Sequence, residues 1–264
     1  MPTHTVVVQS YRTHNAARWI GRCMETARRW ARVRGFEYQF LDDRFFDLVP
    51  AQFRARTSDK VILSDLARLL VARKLLDAGH ERVVWIDADV VVFDPDSWIL
   101  PTQSSFYFSH ELWPTPEADH VRLDIRANNA VMVFSRGNPF LDFYIDSCHR
   151  ILSADEPLKS WHLGVRFLTG IRNVSPLPLL LNIGTFGAAL LLDIHSGQKL
   201  LLQAYMKAMA LPLVAANCCG SVGAPMLGAQ AVGEDVFESV VEQCIASKGN
   251  VVNRFLSPMN HVVK

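Results

Sequence analysis

The apolar positions fall into short β-branched runs separated by longer stretches in which they recur every three or four residues. Thr5 to Gln9 is such a run and reads as a buried strand. Asn15 to Val33 follows with helical spacing and is stopped by Gly35. Glu37 to Leu41 predicts a second strand, ending in Asp42-Asp43. Lys60 to Ala78 predicts a strong helix, with Gly79 at the position where a left-handed residue ends it. Val83 to Ile86 and Val90 to Phe93 predict two more buried strands. Further on, Phe106 to His110 and Ala130 to Phe134 read as strands, and Pro139 to Leu152 as a helix. From Leu163 the chain is rich in Gly, Pro and Leu, and no period assigns its elements. Strands alternating with helices predict an α/β fold, a mostly parallel sheet covered on both faces. Ligands of such sheets bind beyond the carboxyl ends of the strands.

The pattern also marks places where charge interrupts it. Val83-Val84-Trp85-Ile86 is fully apolar and runs out into Asp87-Ala88-Asp89. One intervening residue lets both carboxylates leave the same sheet edge. Carboxylate oxygens suit a hard cation, Mn²⁺ or Mg²⁺, whose remaining positions take water or phosphate oxygens. Such an ion neutralises the charge that grows on a diphosphate leaving group. In the preceding helix Ile62, Leu69, Ala72 and Leu76 share one face. Asp65 falls in the middle of that face, and Arg68 lies one turn on, at its edge. Buried charges are costly unless paired. The two residues are therefore either an internal brace or groups facing a polar cleft beside Asp87 and Asp89.

These residues resemble a known family. Ser64-Asp65-Leu66-Ala67-Arg68, Gly79 and Val84-Trp85-Ile86-Asp87-Ala88-Asp89 are similar to the ordered S-D-x-x-R, Gly and D-x-D block of GT-A glycosyltransferases with a DXD sugar-binding region. The yeast initiating α-mannosyltransferases and the catalytic domains of clostridial glucosylating toxins are of this type. Asn129-Ala130-Val131-Met132 and Arg136-Gly137-Asn138-Pro139-Phe140 extend the likeness, which spans roughly Lys60 to Phe140. The resemblance implies one GT-A domain over residues 1–264, with a nucleotide-sugar-binding half over 1–100 and an acceptor-side half over 101–264. It implies transfer of a sugar from a nucleotide-sugar donor to a saccharide or lipid-linked acceptor, with retention at the anomeric carbon. Asp65 and Arg68 would contact the donor sugar and its phosphate. Asp87 would bind ribose and sugar hydroxyls, Asp89 would ligate the metal, and Asn129 would face the donor sugar near the reacting carbon.

At the ends of the first two strands, Gln9, Ser10, Tyr11 and Asp42 are the groups available to the donor's base and ribose. Tyr11 offers a face to a pyrimidine, and Asp42 equally suits an ordinary turn. His110 and Glu111 end a strand after the carboxylate pair, on the prospective acceptor side. Asn260 and His261, late in the chain, are candidates to complete the metal shell, with an exposed tail histidine as the alternative. The polar stretch from Val251 to Lys264 is expected to close over the diphosphate. His195 reads as structural or exposed, and the stripe from Leu200 to Met209 as core.

Composition narrows the classes. The chain has 264 residues, half of them apolar, enough for one sizeable core. A formal net charge of +1 gives no field for nucleic acid. Arginines crowd the first third, from Arg12 to Arg56, either as a solvated face or as a patch for peripheral membrane contact. The five cysteines have no zinc-site spacing and read as free thiols of a reducing cytosol. No basic-then-apolar leader opens the sequence, and the apolar stretch from Leu179 to Leu192 is broken by Asn182, Gly184 and Gly187. These features predict a soluble, cytoplasmic protein. Two rival functions remain. Ile86-Asp87-Ala88-Asp89-Val90-Val91 also fits a haloacid-dehalogenase-type phosphohydrolase, with Asp87 as nucleophile, Asp89 as general acid and Gly233-Glu234-Asp235 as the late acidic motif. The other is a non-catalytic nucleotide-sugar-binding protein.

Overall fold

A computed structural model describes residues 4–220 and 232–257. It opens with strand β1 (Thr5–Ser10), helix α1 (Arg18–Val33) and strand β2 (Glu37–Leu41). A short 3₁₀ helix (Asp43–Leu48) and helix α2 (Ala51–Arg56) lead to the long helix α3 (Lys60–Asp77). Strands β3 (Arg82–Ile86) and β4 (Val90–Val92) come next. The hairpin β5 (Phe106–Pro116) and β6 (Val121–Ser135) is followed by helix α4 (Pro139–Ser153). The remainder comprises α5 (Val165–Val174), β7 (Leu179–Leu180), β8 (Ile183–Thr185), α6 (Ala188–Ser196), α7 (Leu200–Ala208), β9 (Ala215–Asn217), α8 (Glu234–Ala246) and α9 (Asn250–Asn253).

The main sheet has six strands in the order β2-β1-β3-β6-β5-β7. β1 runs parallel to both β2 and β3, and β7 is parallel to β5. β6 enters antiparallel between β3 and β5, so the sheet is mixed around its centre. Side chains alternate across it with period two. Val6, Val8, Val83, Trp85, Met132 and Phe134 point into one core with α3 and α4. Val7, Val84, Ile86, Val131 and Val133 point into the other, under α1. Burial on both faces explains why these strands read as unbroken apolar runs. A second sheet, β4-β9-β8, stands beside the cleft, with α6, α7 and α8 packed behind it.

α3 starts where Asp59 accepts a hydrogen bond from Val61 N at 2.8 Å, a cap worth about 1 kcal/mol. It ends at Gly79, whose φ of +112° suits only glycine. α1 begins at Arg18 rather than near Asn15, because Asn15 has a left-handed φ of 54°. The hairpin strands extend well beyond the predicted pentapeptides: Val121 to Arg126 alternates apolar and charged residues, the period of a half-exposed strand rather than of a buried apolar run.

All five cysteines are buried and free. Five of the ten arginines from Arg12 to Arg56 make ion pairs or hydrogen bonds within the chain. Arg22 pairs with Glu25 and Glu242, Arg44 with Asp42 and Arg54 with Asp47. Arg34 donates to the carbonyls of Trp98 and Asp96, and Arg56 to those of Ala154 and Glu156. Among the described residues no helix is long and apolar enough to cross a membrane.

Candidate active site

The turn after β3 is fixed by its backbone. Asp87 N donates to Ala130 O on β6 at 2.7 Å, and Val90 N donates back to Asp87 O at 3.1 Å. Cys218 N, just past β9, donates to Asp89 O at 3.0 Å. The turn is thus pinned between the two sheets, and its carboxylates face the space between them. Asp87 Oδ1 accepts the Trp85 indole N–H at 2.7 Å and lies 3.0 Å from Arg68 Nη1. Asp89 Oδ2 accepts Gly220 N–H at 2.7 Å.

Arg68 is the hub. It is 6% exposed, donates to Asn129 O at 3.0 Å and to Ser64 Oγ at 3.0 Å, and lies 3.5 Å from Asp65. Asp65, 3% exposed, accepts Asn129 Nδ2–H at 2.8 Å. Asn129 reaches it because β5 and β6 change register after Phe108. Phe108 faces Met132 but Ser109 faces Asn128, so residues 129–131 bulge out of the ladder. Ser109 Oγ and the Asn128 side chain satisfy the bulge backbone. Such bulges re-aim side chains next to binding sites. Asp65 and Arg68 are paired with each other and also line the larger of the two cavities at this cluster.

Two cavities meet at this cluster. The larger, about 870 Å³, is lined by Asp65, Arg68, Asp87, Asp89 and Asn129, and opens toward Glu111, Trp113, Asn128, Trp161 and Arg166. The smaller, about 530 Å³, shares Arg68, Asp87 and Asp89 and extends past Ser10, Tyr11, Arg12, Asp43 and Lys60.

Three carboxylates stand here against one guanidinium. Burial raises the Asp65 carboxyl from 3.8 to about 6, against the pull of Arg68. Burial, then the neighbouring charge of Asp87, raises Asp89 to about 6. Burial also raises Asp87, opposed by Arg68. An all-oxygen donor set with unbalanced negative charge fits a hard divalent cation at Asp87 and Asp89. Among the described residues no third Asp, Glu, His or Cys joins these two as a ligand group. Asn260 and His261 lie outside the described residues.

These shifts set a pH dependence of stability. A carboxyl whose folded pKa is raised favours the fold below its unfolded pKa and loses that contribution as pH rises through the folded one. For Asp89 the window runs from 3.8 to about 6, equivalent to at most about 3 kcal/mol. Without divalent ions, Asp89→Asn is therefore expected to melt above the parent at pH 7.5 and level with it below pH 4. The same melting offset at both pH values would refute the burial argument.

Not every predicted residue reaches the cleft. Gln9 is fully buried; it accepts from Tyr38 Oη at 3.0 Å and donates to Asp87 O at 3.2 Å. It holds the turn rather than a donor, because its strand buries both faces. Asp42 caps the 3₁₀ helix through Arg44 N and lines neither cavity, whereas Asp43 does line one. Ser10 and Tyr11 line the smaller cavity. His110 is buried and lines neither, and His195 is exposed. Residues 251–253 belong to α9, and Asn253 Nδ2 donates to Leu213 O at 2.8 Å, so the start of the expected closing segment is docked on the core.

Of the two residues named for the acceptor side Glu111 lines the larger cavity, and Gly164 is added by the structure alone. Glu111 is 4% exposed; one oxygen accepts Asn128 Nδ2–H at 2.8 Å. Among the described residues its Oε2 and the Trp113 indole N–H are buried and make no well-formed hydrogen bond, although the indole N–H lies near enough to favour the ionised carboxyl. Burial raises the Glu111 carboxyl above the usual range. Gly164, before α5, closes the wall: a Cβ there would sit 2.8 Å from Asp65 Oδ2 and 2.9 Å from Asn129 Nδ2.

No protein-family profile matches the sequence, and no curated protein matches it either. Solved structures do match. A glycosyltransferase involved in glycosylation of the major capsid of PBCV-1 superposes with a TM-score of 0.50 at 9% identity, covering 91% of this chain and 99% of that one. Galactosyltransferase LgtC, solved with donor and acceptor sugar analogs, gives 0.44 at 14% identity over 90% and 95%. GlyE of Streptococcus pneumoniae TIGR4 gives 0.44 at 10% identity over 98% of this chain and 66% of that one. At such low identity the likeness is one of architecture, and the chain has the mixed α/β fold of GT-A glycosyltransferases.

Proposed function

We propose that this chain is a glycosyltransferase that moves a sugar from a nucleotide-sugar donor to a saccharide or lipid-linked acceptor. One observation supports this most: two cavities meet at Arg68, Asp87 and Asp89, as a two-substrate transfer requires. The smaller one suits the donor. Tyr11 offers a ring to the base, and Arg12, Lys60 and Arg68 offer cations to the diphosphate. The larger one suits the acceptor, with Trp113 and Trp161 as faces for a sugar ring. The halves 1–100 and 101–264 contribute mainly to the donor and the acceptor side respectively.

Asp89, with Asp87, would hold Mn²⁺ or Mg²⁺, which supplies Lewis-acid stabilisation of the departing diphosphate. Asp65 and Asn129, locked to each other, present polar edges to the donor sugar, and Arg68 adds a fixed positive charge. Preorganised charge of this kind costs no reorganisation as the bond breaks. Retention at the anomeric carbon is the outcome implied by the resemblance in the Asp65–Asp89 block. Nothing favours the phosphohydrolase, for Asp87 is held as an acceptor by Trp85 and Arg68 rather than freed as a nucleophile.

The test is release of nucleoside diphosphate from a panel of nucleotide-sugars, with and without Mn²⁺. Metal-stimulated release from one donor is expected. Binding without release in every case would identify a sugar-nucleotide binder instead. On the acceptor side, Glu111 is read as the acceptor for the incoming hydroxyl. Glu111→Gln should lower transfer about tenfold or more, a loss of about 1.4 kcal/mol, while slow donor hydrolysis by water persists. Equal loss of both rates would show that Glu111 only supports the fold.

A further inference from the structure

The edge of the sheet opposite the cleft gathers ligand-type side chains that the proposed reaction does not use. His4 precedes β1, Glu37 opens β2, and His80 stands in the turn between α3 and β3. β1 lies between β2 and β3, with Val6 opposite Glu37 and Thr5 opposite Arg82, so the three residues converge at the N-terminal edge of the strands. One ligand atom from each lies within 4.8 Å of the other two. Among the described residues this is the one such trio.

His80 gives the reason to place a cation there. Its Nδ1 is 3.0 Å from Leu75 O, and a carbonyl only accepts, so Nδ1 bears the hydrogen. Nε2 then faces Glu37 Oε2 at 3.2 Å. In the neutral ring that nitrogen is a lone pair, and a lone pair facing a carboxylate is repelled unless positive charge lies between them. A second proton or a metal ion meets that need. An Nδ1–H held by a backbone carbonyl is also the outer contact that fixes metal-binding imidazoles.

His4 adds a second imidazole, edge-to-face with His80 at 5.3 Å between centroids. Its backbone is held by Glu81 N–H, which donates to His4 O at 3.0 Å. Arg136, which donates to the carbonyl of His80, is paired with Glu81 at 3.2 Å. The His80 side chain is 14% exposed and that of Glu37 51%, which leaves room for water as a further ligand. Two imidazoles and one carboxylate suit a borderline ion of the zinc class, whereas the all-carboxylate cleft suits Mn²⁺ or Mg²⁺.

We propose that His4, Glu37 and His80 form a Zn²⁺ site that clips β1 to its two neighbours, independent of the cleft. An ion that binds only the folded chain stabilises it by mass action.

The test uses the whole chain without a histidine tag, stripped with chelator, and titrated with Zn²⁺ by calorimetry and with Co²⁺ by visible absorption. The cleft is silenced with Asp87→Asn and Asp89→Asn together. One equivalent of Zn²⁺ is expected in this double variant, and at least one in the parent. Binding should weaken at least tenfold in His80→Ala and, separately, in Glu37→Gln, so one unstable variant does not decide the matter. With the cleft silenced, saturating Zn²⁺ should raise the Tm by about 5 °C, and adding His80→Ala should abolish that rise. No stoichiometric binding, or binding indifferent to both substitutions, would overturn the site and leave a His80–Glu37 ion pair alone. Neither result bears on the transferase reading, which donor turnover tests separately.

Discussion

Replacing Asp89 with alanine is expected to lower sugar transfer by about 10²–10³-fold while the chain still folds. Asp89 is held by Gly220 N–H, and its backbone by Cys218, so the turn persists without the carboxylate. What disappears is charge at the junction of the two cavities. A departing diphosphate gathers negative charge, and removing a preorganised stabiliser of such charge costs about 3–4 kcal/mol. The fold loses little, because burial and the Asp87 charge already raise this carboxyl to about 6 and make its ionised form a burden. The measurement is initial rate against Mn²⁺ concentration for parent and variant, with thermal melts of both. Full turnover by Asp89→Ala in excess chelator would end the metal assignment.

Arg68→Ala is expected to cost about 3–5 kcal/mol of stability and most of the donor affinity. The guanidinium touches Asp65, Asp87, Ser64 and the Asn129 carbonyl, so its loss strands two carboxylates and a carbonyl at once. Breaking one side of a buried pair is worse than removing both sides. The double change Arg68→Met with Asp65→Asn should therefore recover much of the melting temperature. It should not recover donor binding, since no cation is restored. Urea unfolding and donor titration by calorimetry on the same proteins separate the two effects. Wild-type donor affinity in the refolded double variant would show that Arg68 serves the fold alone.

The legible part of the site lay on one contiguous block. Asp65, Arg68, Asp87 and Asp89 stood out because each breaks an apolar pattern, and Asn129 because it follows them in an order that resembles that of GT-A glycosyltransferases. All five line the larger cavity. Glu111 was visible only as an acid ending a strand; its buried, half-satisfied state is a property of the folded hairpin. Gly164 and Gly220 carried no signal, since what matters in each is a backbone approach to Asp65 or Asp89 from a distant segment. Gln9 misled because a strand end can face either the cleft or the turn that carries Asp87 and Asp89.

The sequence by itself determined the α/β class, the cores of β1, β2, β3 and α3, and the carboxylates at the end of β3. These follow from local periods of two and of 3.6 residues, which the chain states directly. Tertiary structure alone decided that β6 enters antiparallel between β3 and β5, and that three residues bulge there to present Asn129. It also decided that β7, β8 and β9, of two or three residues each, are strands at all. Pieces that short have no period to read, and their hydrogen-bond partners lie far along the chain. The gathering of Asp65, Asp87 and Asp89 around one guanidinium belongs to this second kind. The charges are written in the sequence, but how strongly they perturb one another depends on distance and burial, which only packing sets.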